Sequence, residues 1–153
     1  MTKQVWSPNR SKRPPGAKIE VAVLHSTIGS FAGAVSWLMN PESHVSSPYV
    51  VSKRGVVRKL VPLTEQSWHA GRSQWRGINN VNAISVGVEL ERFDRPGEPY
   101  PEAQMNAVAK LCADLFQAYG ELPIGGHADI CVPKGRKVDP RDFDFKLLRE
   151  MID

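Results

Sequence analysis

Two short runs, "IEVAVLH" at 19–25 and "ISVGVELE" at 84–91, constrain this chain more than anything else in it. In the first, Ile19, Val21 and Val23 fall on one face and Ala22 and Leu24 on the other. Apolar residues on both faces need cover on both, so the run reads as an interior strand of a covered sheet. The second run alternates, with Val86, Val88 and Leu90 on one face and Ser85, Gly87, Glu89 and Glu91 on the other. That period of two is a strand with one apolar side and one side free for other work.

Helical signals lie between and after these strands. In "SFAGAVSWLMNP", Phe31, Ala34, Val35 and Leu38 recur at helical spacing, and Pro41 stops the pattern. "PEAQMNAVAKLCADLFQAYG" predicts a helix from Pro101 to Gly120, with Met105, Val108, Cys112, Leu115, Phe116 and Tyr119 on its apolar face. That placement makes Cys112 a core thiol. A last helix is expected from about Phe145 to Ile152. "PYVVSKRGVVRKLVPL" reads as a hairpin turning at Lys53, Arg54 and Gly55. "EQSWHAGRSQWRGINNVN" reads as a long loop, and loops of that length are uncommon unless functional.

The 153 residues suit one α/β domain over 18–153, preceded by a basic Pro/Arg-rich arm over 1–17 without periodicity. A domain of that size buries about 68–70% of its unfolded surface, so its core holds without staples. Two cysteines, Cys112 and Cys131, are too few for a disulfide framework. The basic N-terminus lacks the apolar stretch of a secretory leader, and no run approaches the ~18 apolar residues of a membrane span. A soluble chain made in the cytoplasm, without membrane insertion, is the expectation. The net charge of +4 favours an anionic partner. No basic stripe interleaved with aromatics and no zinc-finger spacing is present, so no nucleic-acid partner is expected.

The residues able to do chemistry cluster at strand ends and in one polar stretch. His25 closes the first strand, and strand ends of α/β sheets are where ligand sites form; a lone histidine there also serves structure. "GGHADICVPKGRKVDPRDFDF" places His127 in a Gly-rich turn and Asp139 twelve residues later, directly before Pro140. Two imidazoles and a carboxylate match the ligand set of catalytic zinc sites, which keep a fourth position for water. Lys137 and Asp139 are two apart, so an extended chain points both the same way. Gly87 is expected to leave open space beside Glu89, for which a solvent-facing carboxylate is the alternative reading. Cys131, four residues after His127, is a competing ligand.

In order, "VAVLHST", "HVSSPYVVSKRG", "SWHAG", "NAISVGVELE", "PEAQMNAVAKL", "GGHADI" and "GRKVDPRDFDF" span about 21–145. With these pieces in this order the chain resembles the type 2 N-acetylmuramoyl-L-alanine amidase family, which includes phage lysins, cytoplasmic wall-recycling amidases and animal peptidoglycan recognition proteins. The resemblance implies a single domain with a central mixed β-sheet flanked by helices. It implies one zinc ion held by His25, His127 and Asp139, with Glu89 as catalytic acid/base and Lys137 beside the centre. It also implies that Trp68, His69 and Ala70 line the substrate groove. Asp139, before a proline and two after a lysine, matches the third ligand where Cys131 does not.

The implied substrate is bacterial peptidoglycan, cut at the amide between the muramic acid lactyl group and L-alanine. Small size and positive charge point to a phage-type endolysin, monomeric, made in the host cytoplasm and acting on the wall after release. A recycling amidase and a non-catalytic wall-binding module are the alternatives. Two departures stand out: Pro48 precedes Tyr49 where many relatives have histidine, and Arg141 and Asp142 follow Pro140 where relatives commonly read "DPGP".

Overall fold

The first apolar run forms β2 (Val21–Ser26), every residue of which is buried. Its neighbours are β6 (Ser85–Leu90) and β7 (Ile124–Gly126), both parallel to it, which puts it in the middle of the sheet. The computed structural model describes residues 3–153. Beyond β6 lies β3 (Tyr49–Val51), also parallel, and then β4 (Val57–Lys59), antiparallel, giving a five-stranded mixed sheet in the order β4-β3-β6-β2-β7. The hairpin read at 53–55 is the β3–β4 connection.

Helices cover one face. α2 (Glu102–Tyr119) lays Met105, Val108, Leu111, Cys112 and Leu115 against Val86, Val88 and Leu90 of β6, and Leu148 of α4 (Phe145–Ile152) joins this cluster. Cys112 is fully buried there, as its place on the helix requires. Tyr119, expected on the same face, is instead exposed in the final turn before Gly120. Leu148 has no solvent exposure, and truncating such a leucine to alanine costs about 2–5 kcal/mol. The other face is covered by Ala70, by Val81 at the start of a 3₁₀ helix (Val81–Ile84) and by Ile130 of α3 (His127–Ile130), packed on Val21 and Val23. α1 (Phe31–Leu38), capped by the Ser30 side chain on the Gly33 amide, packs Leu38 against Val50 and Leu60.

Four short elements differ from the reading of the sequence. Within the arm at 1–17, β1 (Arg10–Lys12) pairs antiparallel with β5 (Glu65–Ser67), which lies inside the stretch read as loop. Arg10 reaches Glu65 at 2.7 Å, and the Arg13 guanidinium donates to the carbonyls of Leu63, Ala83 and Ser85. Residues 7–13 therefore pack on the domain through polar contacts that no hydrophobic period announces. His127 does not sit in a turn: β7 runs directly into α3, and His127 is the first helical residue. Among the described residues no helix is long and apolar enough to cross a membrane.

Candidate metal centre and active-site cleft

Parallel pairing brings the carboxyl ends of β2, β6 and β7 to one edge of the sheet, and the candidate residues gather there. His25 is the penultimate residue of β2, Glu89 is its register partner on β6, and His127 follows β7. Asp139 arrives on the returning loop, which is tied down at two points. Its carbonyl accepts from the Ala128 amide at 3.0 Å, and its Oδ2 accepts from the Ser26 amide at 3.1 Å. Gly126 permits this approach, because a Cβ there would stand 2.9 Å from the Pro140 ring and 3.2 Å from the Asp139 carbonyl oxygen.

The geometry suits a small cation. His25 Nδ1 and His127 Nδ1 are 3.0 Å apart, and Asp139 lies 3.4 Å from His127 Nδ1 and 3.8 Å from His25 Nδ1. One ligand atom from each of the three residues falls within 4.8 Å of the others, and all three residues are buried. Zinc–nitrogen bonds of ~2.0–2.1 Å at tetrahedral angles place donor atoms roughly 3.3 Å apart, close to the spacings seen. The donor chemistry also fits. His127 Nε2 faces the Ala70 carbonyl at 3.2 Å, so that nitrogen carries the proton and Nδ1 offers its lone pair inward. Cys131 is not part of this group: its Sγ accepts the Lys137 amide at 3.4 Å and faces the carbonyls of Ala128 and Lys137.

An open cleft of about 210 Å³ surrounds the cluster, lined by His25, His127, Asp139, Glu89, Lys137 and Trp68 among others. The Glu89 carboxyl is pushed up to about 8, first by burial and then by the Asp139 carboxylate, while the Lys137 ammonium pulls it down. Burial would raise Asp139, yet its contacts with His127 and the Ser26 amide outweigh that and hold it below the ordinary carboxylate range.

The three residues expected to line the groove separate. Trp68 does so, and its indole N–H donates to Ser11 Oγ at 3.1 Å, a further tie between the arm and the domain. Ala70 is fully buried and its contribution is the carbonyl beneath His127. His69 borders the cleft, but both its ring nitrogens are engaged within the protein, by His25 Nε2 at 2.8 Å and by Ser85 Oγ at 2.7 Å. The space above Gly87 is not open, because a Cβ there would meet the His69 ring at 2.7 Å and Ser47 Oγ at 2.9 Å.

Asp94 was not legible as a site residue. Its Oδ1 accepts from Ser26 Oγ at 2.7 Å, the Arg141 amide at 2.8 Å and Arg92 Nε at 3.2 Å, so one carboxylate ties the end of β2 to the loop carrying Asp139. A charged residue in a Gly- and Pro-containing loop carries no signal of such a role. Ser85 was legible only as a member of the polar face of β6.

Comparison with known proteins agrees with this architecture. A family model described as N-acetylmuramoyl-L-alanine amidase matches residues 15–142. The 1,6-anhydro-N-acetylmuramyl-L-alanine amidase AmpD of Enterobacter cloacae is 30% identical, over 98% of this chain and 89% of its own. The N-acetylmuramoyl-L-alanine amidase AmiD of Escherichia coli is 34% identical over 80% of this chain, which matches about half (49%) of AmiD. The structure of AmiD in complex with anhydro-N-acetylmuramic acid-L-Ala-D-gamma-Glu-L-Lys superposes with a TM-score of 0.77 at 31% identity, covering 99% of this chain and 60% of that one. The mixed sheet, the ordered motifs and these relatives agree: the chain belongs to the type 2 N-acetylmuramoyl-L-alanine amidase family and is an enzyme of that class.

Proposed function

We propose that this amidase acts on soluble muropeptides, 1,6-anhydro forms included, cutting the amide between the muramic acid lactyl group and L-alanine with one zinc ion held by His25, His127 and Asp139. The observation that carries the proposal is the convergence of three buried electron-pair donors beside Glu89 in an open cleft. The muropeptide reading is supported by the name of the Enterobacter cloacae relative and by the anhydromuramyl peptide bound to AmiD. These relatives favour recycling of wall fragments over the phage-endolysin reading that size and charge alone suggested.

Amide hydrolysis needs a better nucleophile than neutral water and a better electrophile than a resting carbonyl. Zinc, when bound, supplies Lewis-acid polarisation and an acidified water. Glu89 stands one strand away from His25 and takes the attacking water's proton, then delivers it to the departing alanine nitrogen. Burial makes this carboxyl bind a proton more firmly than an exposed one, which favours its part in taking the water's proton, and the proton is then passed to the departing nitrogen. The Lys137 ammonium faces the same cleft and balances the charge that grows on the carbonyl oxygen as the carbon becomes tetrahedral. Trp68 forms a wall of the cleft.

Incubating the purified protein with an anhydromuramyl tripeptide and, separately, with intact wall sacculi tests the substrate. Release of free tripeptide from the small substrate, well ahead of release from sacculi, is the expected result. The reverse preference, to which the net charge of +4 would contribute by attraction to anionic wall, restores the endolysin reading.

A further inference from the structure

Behind His25 runs a chain of two polar side chains, His69 and Ser85, that no step of the hydrolysis uses. His25 Nε2 is 2.8 Å from His69 Nδ1, and His69 Nε2 is 2.7 Å from Ser85 Oγ. His25, His69 and Ser85 are all buried, and the His69 ring lies over Gly87, where a Cβ would come within 2.7 Å of it. The rings of His25 and His69 meet edge to face, with centroids 5.0 Å apart at 86°. Two short bonds, a glycine floor and a fixed ring angle hold the second imidazole rigidly against the first.

The chain can be protonated in either direction, and the direction is the tautomer of His25. If Ser85 donates to His69 and His69 donates to His25, the His25 proton sits on Nδ1, facing His127 Nδ1. If His25 Nε2–H donates to His69 Nδ1 and His69 Nε2–H donates to Ser85 Oγ, His25 Nδ1 is a free lone pair. Only the second direction lets His25 serve as a ligand at the centre. The hydroxyl of Ser85 both donates and accepts, so the chain ends satisfied either way.

We infer that His69 is a positioning residue for the metal centre: it accepts the Nε2–H of His25 and so holds His25 in the tautomer whose Nδ1 binds zinc. This inference rests on the zinc site proposed above. It reassigns His69 from the substrate groove to the support of a ligand. Outer partners of this kind fix ring orientation and raise ligand basicity, and their loss typically costs about 10- to 100-fold in metal affinity. Asparagine at 69 can present its amide oxygen near the position of the imidazole Nδ1. Leucine fills the space over Gly87 but offers no acceptor.

Two measurements decide it. Zinc competition with a chromophoric chelator should give His69→Leu a dissociation constant raised by about 10- to 100-fold, with His69→Asn recovering most of the loss. Nitrogen NMR of the native protein labelled in its histidines, saturated with zinc, should show His25 and His69 each protonated at Nε2. Native-like affinity in His69→Leu overturns the inference, as does zinc-loaded His25 protonated at Nδ1; the NMR result stands even if a variant fails to fold. A native protein that takes up no zinc overturns the metal-site proposal itself, which separates that failure from a failure of the role given to His69.

Discussion

His25 and Glu89 are register partners across the parallel pairing of β2 and β6, so their side chains emerge side by side on one face of the sheet. A slip of one residue would turn Glu89 to the opposite face, among Val88 and Leu90 and their helix contacts. The apolar face of β6 thus sets the position of the Glu89 carboxylate. Glu89→Gln keeps the shape and removes the base. It should retain zinc and lose about 10²- to 10⁴-fold in turnover, read as tripeptide release alongside metal content. Undiminished turnover removes Glu89 from the mechanism.

Asp139 and Cys131 compete as third ligand by sequence, and the geometry separates them. Asp139→Ala is expected to lower zinc affinity sharply, whereas Cys131→Ala should leave metal content and activity near native, because its Sγ contacts only backbone groups of Ala128 and Lys137. Metal analysis of the two purified variants distinguishes them. The opposite pattern makes the thiol the ligand.

Asp94 holds buried Arg92 on one side and the Ser26 and Arg141 ends of the site on the other. Asp94→Ala leaves Arg92 without its Nε partner in a place with almost no solvent exposure. Breaking such a buried pair costs about 3–5 kcal/mol, so a clear drop in thermal midpoint is expected. An unchanged melting curve shows that the Glu98 contacts and the Tyr100 ring suffice to hold the guanidinium.

Acid should destabilise the zinc-stripped protein. Burial, with neighbouring positive charge, pushes the His69 imidazole down to about 3 and that of His25 well below its ordinary range. In the unfolded chain both take a proton near pH 6.5. Below that pH the unfolded state binds more protons than the folded one, so stability falls as pH falls, by up to about 1.4 kcal/mol per unit for each histidine. The loss begins near the unfolded value and, for His69, ends where the folded ring itself protonates, near 3. Glu89, raised to about 8 in the fold, works the other way and offsets one of the two histidines, so melts of chelator-treated protein from about pH 6 to about pH 4.5 should show a net decline, shallower in His69→Asn. A level midpoint across that range contradicts the buried neutral state.

Much of this was legible before any coordinates. The doubly apolar run around Val23 marked the central strand, and the alternation through Val86 and Val88 put Glu89 on the opposite, polar face. Long amphipathic elements such as α2 announce themselves because many residues repeat one period. β7 offers three residues, two of them glycine, and α3 four, so neither carries a period to read. β1 is held by hydrogen bonds and the Arg10–Glu65 pair rather than by apolar burial, which leaves composition looking like a free arm. The resemblance places His69 in the groove, because "WHAG" matches the family's groove-lining loop. Its bonds to His25 and Ser85 depend on side-chain direction, which sequence spacing does not encode.

The most direct test is anomalous diffraction at the zinc absorption edge from crystals of the active protein. The expected map has one peak per chain, bonded to His25 Nδ1, His127 Nδ1 and an Asp139 oxygen, and chelation removes both the peak and muropeptide cleavage. Full cleavage by protein that carries no metal at these three residues would contradict the account.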